Sequence, residues 1–107
     1  MHHLGNLYAN LGESEQAEKY YLEAISEEEK LSDADGVART RAQLGLLRMK
    51  EEKFEEALED LFVAHDVLKK VSTGLANEIL DKIERIQDAL PADVFASIVR
   101  KLSVRDG

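Results

Sequence analysis

Two segments of this chain, forty residues apart, carry the same arrangement of small and large apolar residues. The first reads Leu4-Gly5-x-x-Tyr8, then Ala17-x-x-x-Tyr21-x-x-Ala24. The second reads Leu44-Gly45, then Ala57-x-x-x-Leu61-x-x-Ala64. Gly5 to Ala17 and Gly45 to Ala57 are the same step of twelve, so internal spacing is kept along with residue type. A fixed period of this length restricts a chain more than its composition does. Each unit buries only part of its apolar surface, so neighbouring units must stack.

The residue types give the packing. Ala17 and Ala24, like Ala57 and Ala64, are seven apart and share one helical face, with the larger Tyr21 or Leu61 between them. Glycine inside a helix costs about 1 kcal/mol relative to alanine. Two glycines at equivalent places therefore predict a second helix crossing close to the first. Six helices are expected. The first runs from about His2 to Leu11 and is ended by Gly12; the second is capped by Ser14 and continues to about Leu31. A third, capped by Ser32 or Asp33, covers roughly Ala34 to Lys50, and a fourth Phe54 to Val71. Ser72-Thr73-Gly74 breaks the chain before a fifth helix with the stripe Leu75, Ile79, Ile83, Ile86 and Leu90. Pro91 suits the first turn of a sixth, on which Val94, Phe95, Ile98, Val99 and Leu102 recur, and the tail Arg105-Asp106-Gly107 is expected to fray.

This layout resembles the tetratricopeptide repeat, whose pattern is W-x-x-L-G-x-x-Y, A-x-x-x-F and a final proline. The stretch Asp33-x-x-Gly36-x-Ala38-Arg39 ahead of Leu44-Gly45 is similar to the long-helix, forty-residue-repeat subclass found in spindle-orientation adaptors and related signalling scaffolds. The resemblance covers about residues 1–70. Arg48 replaces the tyrosine of the first repeat, Glu52 replaces its turn glycine, neither repeat ends in proline, and Met1 stands at the tryptophan position. It implies an all-α, TPR-like helical hairpin array (an α-solenoid) with two repeats, about 1–33 and 34–73. Carrying the period forward puts Glu84-Arg85 and Ser97 where Leu-Gly and alanine belong. Residues 74–107 are therefore read as a degenerate helical hairpin that caps the array, with a third, diverged ligand-binding repeat as the rival. At the other end, either the chain was cut from a longer array or its N-terminal edge is covered by something else.

Composition narrows the function. At 107 residues, 44% hydrophobic and 34% charged, with one proline and no cysteine, the chain suits a single small helical domain without disulfides or thiolate metal sites. No apolar run is long enough to span a bilayer and no signal pattern opens the chain, so no membrane partner is expected and a cytoplasmic setting is. Net charge is −8, with −9 carried by residues 1–68, which disfavours nucleic acid. The acidic clusters Glu27-Glu28-Glu29 and Glu51-Glu52 are read as solvated helix ends, or else as attraction for a basic segment. His2, His3 and His65 form no ligand or catalytic pattern, and no nucleotide, hydrolase or metalloprotease motif occurs. The expectation is a non-enzyme with no cofactor and no metal.

The resemblance maps the partner-binding groove of the family onto Asn6, Ala9 and Asn10, then Arg39, Gln43, Leu46, Met49 and Lys50. Positions 39, 43, 46 and 50 also fall on one helical stripe by their spacing alone. Asparagine can both donate to and accept from a peptide backbone, and Arg39 can fork onto a carboxylate. The clamp that some family members use for chaperone tails is matched only at Asn6, with His2 and Gln43 at two of its other places, so that activity is not implied. Two readings stay open: an adaptor holding a peptide or helix of a partner protein, and a scaffold that assembles with itself or with neighbouring repeats through an exposed edge.

Overall fold

The structure is a computed structural model that describes residues 2–106, with side chains described over 4–103. Six α-helices follow one another: α1 (His2–Asn10), α2 (Ser14–Lys30), α3 (Ala34–Lys50), α4 (Phe54–Leu68), α5 (Thr73–Ala89) and α6 (Ala92–Asp106). Together they make an all-α, tetratricopeptide-like helical array. Each of the first four packs closely against the next, and α1–α3 and α3–α5 are second neighbours along one side.

The two glycines do what their spacing requires. A Cβ on Gly5 would lie 2.5 Å from the Tyr21 ring, and one on Gly45 would lie 3.0 Å from Leu61 Cγ. Ala17, Tyr21, Ala24, Ala57, Leu61 and Ala64 are all buried, so both crossings are close-packed small-against-large contacts. Leu44 is buried as well. Leu4 is not: it is half exposed, contrary to its place in the signature, because no helix among the described residues stands against it as α2 stands against Leu44.

The turns repeat every twenty residues. Gly12, Ser32 and Glu52 all have positive φ, 78°, 55° and 61°. In each turn the next amide reaches back five residues, Glu13 N to Tyr8 O, Asp33 N to Glu28 O and Lys53 N to Arg48 O. The positive-φ residue reaches back three, to Ala9, Glu29 and Met49. These are Schellman closures, which satisfy the last carbonyls of one helix as the next begins. Asp33 caps α3 by accepting from Gly36 N. Ser14 does not cap α2: it is the first helical residue, and the cap position falls to Glu13, which makes no side-chain cap bond. Three residues separate the helices at each of these turns, and the last of them holds the cap position.

Other limits differ by a few residues. Helix α1 stops at Asn10 and α4 at Leu68, because their last carbonyls are taken by the closing turns. The Ser72 hydroxyl accepts from Leu75 N, so α5 begins at Thr73 and absorbs Gly74. Pro91 sits just before α6 and its carbonyl accepts from Phe95 N. Helix α6 continues through Arg105 to Asp106, where a frayed tail was expected. Met1, Gly107 and the side chains of His2 and His3 lie outside the described residues.

One charged cluster is buried. Asp60 on α4 is 2% exposed and accepts from Arg48 Nη1 at 2.7 Å and Arg41 Nη1 at 3.2 Å. Arg48 also donates to Glu18 on α2 at 3.1 Å, so the cluster ties three helices together. Burial pushes the Asp60 carboxyl up, and the two guanidiniums offset it only in part. Asp60 and Arg48 lie forty residues beyond Tyr20 and Tyr8, whose rings stack at 5.4 Å and 6°. One pair of places thus holds an aromatic stack in the first repeat and an ion pair in the second.

Three outcomes follow for stability. Gly45→Leu overpacks the α3–α4 crossing and should cost about 1–3 kcal/mol or more, read as a lower melting temperature; an unchanged melt would remove the crossing as the structural reason for the glycine. Glu52→Gly relieves a left-handed side-chain residue and should stabilise the chain by roughly 1 kcal/mol in denaturant titration, with no gain if the turn relaxes. Arg48→Met alone strips Asp60 of its shorter charge-assisted bond and should cost about 1.5–3 kcal/mol. Adding Asp60→Leu should recover most of that loss, because burial dominates at this carboxylate. A double-mutant cycle showing simple additivity would mean that the pair is not coupled.

Candidate protein-binding groove

The side of the array formed by α1, α3 and α5 carries two adjoining hollows. The larger, about 410 Å³, is lined by Arg39, Ala42, Gln43 and Leu46 from α3 and by Leu75, Glu78, Ile79 and Lys82 from α5, with Leu61 and Leu68 of α4 as its floor. The smaller, about 260 Å³, lies between α1 and α3, where Asn6, Ala9 and Asn10 face Gln43, Leu46 and Lys50. Gln43 and Leu46 border both. Seven of the eight groove residues expected from the sequence line one of these two adjoining depressions. Met49 does not: it packs against the main core, because its place on α3 turns toward α4.

The polar atoms differ in how free they are. Asn6 Oδ1 accepts the Tyr21 hydroxyl, which leaves the Asn6 amide NH2 for an outside acceptor. Burial pushes the Tyr21 phenol up, so it remains the proton donor in that bond. Arg39 and Lys50 have no ion-pair partner among the described residues. Lys82 lies 3.5 Å from Asp81, a carboxylate that Arg85 also approaches at 3.2 Å. Arg39, Lys50 and Lys82 against Glu78 make this face cationic within a chain of net charge −8.

The α5 wall was not apparent from the sequence. In the sequence Leu75 and Ile79 belong to the apolar stripe of the fifth helix, and Lys82 looks like any solvated lysine. The available signal was the shared neighbourhood of alternate helices, which brings α5 beside α3. The acidic cluster after Ile25 is partly engaged internally: Glu28 accepts from Thr40 at 2.8 Å, and Glu27 pairs with Lys30 at 3.3 Å. Among the described residues no group of His, Asp or Glu could hold a metal ion, and His65 borders a separate hollow between α4 and α6. No helix is long and apolar enough to cross a membrane.

Residues 1–31, which make the α1–α2 hairpin, match the family model of the tetratricopeptide repeat. No curated protein and no solved structure matches the chain. Repeats of this family generally mediate protein–protein interaction. The match falls on the hairpin whose glycine crossing and closing turn recur forty residues later in α3–α4. The α1–α2 hairpin is thus similar to a tetratricopeptide repeat, and α3–α4 repeats its crossing and its closing turn.

Proposed function

We propose that the α1–α3–α5 face is an adaptor surface that holds an extended or helical segment of a partner protein. The observation that carries this reading is the 410 Å³ hollow, lined by the apolar Leu61, Leu68, Leu75 and Ile79, with the Arg39 guanidinium on its rim and no ion-pair partner for it among the described residues. Concave apolar pockets with a few convergent polar groups are where ligands gain both buried area and orientation. The complementary segment carries an aliphatic side chain for the hollow and a carboxylate for Arg39. The adjoining Asn6, Asn10, Gln43 and Lys50 offer donors to its backbone.

The same reading divides the chain into two repeats, 1–33 and 34–73, followed by a C-terminal helix pair, 74–107, that closes the array. Helix α5 supports it by covering α4 with Ala76, Ile79, Ile83 and Ile86. Helix α6 supports it by adding Leu102 to the same core and a Lys101–Glu55 ion pair at 3.2 Å. Arg85 stands where a crossing glycine would be, so α6 cannot approach α5 as α4 approaches α3. The length of α2 and α3, seventeen residues each, is in keeping with the long-helix subclass.

Affinity capture from cells with the intact chain identifies the partner, and titration calorimetry on the isolated segment then tests the site. Charge-assisted contacts contribute roughly 1.5–3 kcal/mol. Arg39→Ala should therefore weaken binding at least about tenfold with helicity unchanged. Equal affinity for the parent and Arg39→Ala would place the partner elsewhere on the molecule.

A further inference from the structure

Helix α4 borders hollows on two sides. Leu61 and Leu68 line the 410 Å³ hollow, whereas Val63 lies about 200° of helical turn from Leu61. Val63 and Val67 line two further hollows, of about 560 Å³ and 520 Å³, which therefore open away from the α1–α3–α5 face. The first lies between α4 and α6, against Phe62, Val99 and Leu102. The second lies between α4 and the turn from α2 to α3, against Val37 and Ala38. Because the two valines are shared, the hollows join into one apolar trough across α4. Its rim is acidic, with Glu59 and Asp66 beside the first hollow and Glu29 and Asp33 beside the second. Among the described residues no lysine or arginine lines either, and His65 is the one titratable nitrogen. Glu29 and Asp33 have no ion-pair partner among the described residues. Asp66 meets Lys69 at 3.0 Å, in an exposed pair that water screens.

We propose that this trough is a second docking surface, separate from the α1–α3–α5 face, whose occupant is a cationic amphipathic helix of a partner protein. The helix lays an apolar stripe on Val63 and Val67 and sets lysines or arginines against the acidic rim. Charge selects this occupant. Apolar contact alone would accept many covers, but a rim of carboxylates repels nucleic acid, an anionic lipid surface or an acidic segment. A second copy presenting the same face would set four carboxylates against four, so an isologous pair is disfavoured. A segment suited to the opposite face is rejected too, since Arg39, Lys50 and Lys82 there call for a carboxylate. The chain thus offers faces of opposite sign on its two sides and can hold two segments of opposite charge at once.

The probe is a fluorescein-labelled peptide of leucine and lysine, about eighteen residues long, with leucine at every third or fourth place so that it forms a cationic amphipathic helix. It is added to the intact protein and followed by fluorescence anisotropy and backbone amide shifts. The expected result is saturable binding with shifts concentrated around Val63 and Val67, and no binding when glutamate replaces lysine in the peptide. Val63→Lys, at a position 37% exposed, should weaken binding at least about tenfold with an unchanged melting temperature. Glu29→Lys should weaken it at least about threefold. Glu13→Lys makes the same change of charge about 24 Å away along α2, beyond the screening length of roughly 10 Å in 0.1 M salt, and should bind like the parent, as should Arg39→Ala. No saturation up to about 1 mM would overturn the proposal. So would equal weakening by Glu29→Lys and Glu13→Lys, the mark of attraction to net charge alone, or shifts confined to α3 and α5. A concentration-dependent dimer abolished by Val63→Lys would also overturn it, since the occupant would then be a second copy.

Discussion

Everything in this molecule hangs on two backbone crossings in which one helix offers no side chain and its neighbour offers a large one. At Gly5 the Tyr21 ring occupies the space a Cβ would need, and at Gly45 the Leu61 side chain does the same. Flanking alanines at 17 and 24, and at 57 and 64, let the second helix lie close on either side of that contact. The distance between paired helices is set there. It in turn fixes where α3 lies relative to α1 and α5, and so the width of the face they share. The same crossing recruits function directly, because the Tyr21 hydroxyl holds Asn6 at the edge of the smaller hollow.

The crossings are kept in phase by the turns. Three Schellman closures at twenty-residue intervals reverse the chain with three residues between helices, so the helices cannot slide along one another without undoing a turn. Only the first uses glycine. Ser32 and Glu52 adopt the same left-handed backbone, which shows that tertiary packing imposes this geometry even where the side chain opposes it. The pattern lapses after α4, where Lys69 takes an ordinary helical conformation and Ser72 caps α5 with its hydroxyl.

How much of this was legible depended on whether a feature is periodic. The helix order, the crossings and the α3 stripe all repeat at a fixed step, so residue type and spacing sufficed to find them. Leu4 was misjudged because burial depends on the neighbour: the same leucine is core at position 44 and surface at position 4. Asp60 was missed for the opposite reason, since a carboxylate on a helix with Glu55, Glu56 and Glu59 reads as solvated until its two arginines, twelve and nineteen residues earlier, are seen to converge on it. Lys82 and the α5 wall needed the three-dimensional arrangement of alternate helices. Ser14 failed as a cap because the turn ends at Glu13 and leaves Ser14 as the first residue inside the helix.

The unlike pairs at the corresponding places, Tyr8 with Tyr20 and Arg48 with Asp60, bear on how a chain of similar hairpins assembles correctly. Near-identical repeats run the risk of exchanging partners, since α1 presents to α4 much the same glycine and spacing that α3 does. Such an exchange would lay Tyr8 over Asp60 and enclose a carboxylate without its bidentate-capable cation, at a cost of several kcal/mol. It would also leave Arg48 facing the Tyr20 ring, away from Asp60. The ion pair works as an address: it tells the second hairpin from the first while the backbone remains the same, and it makes the sequential order of the helices the one arrangement in which no charge is stranded.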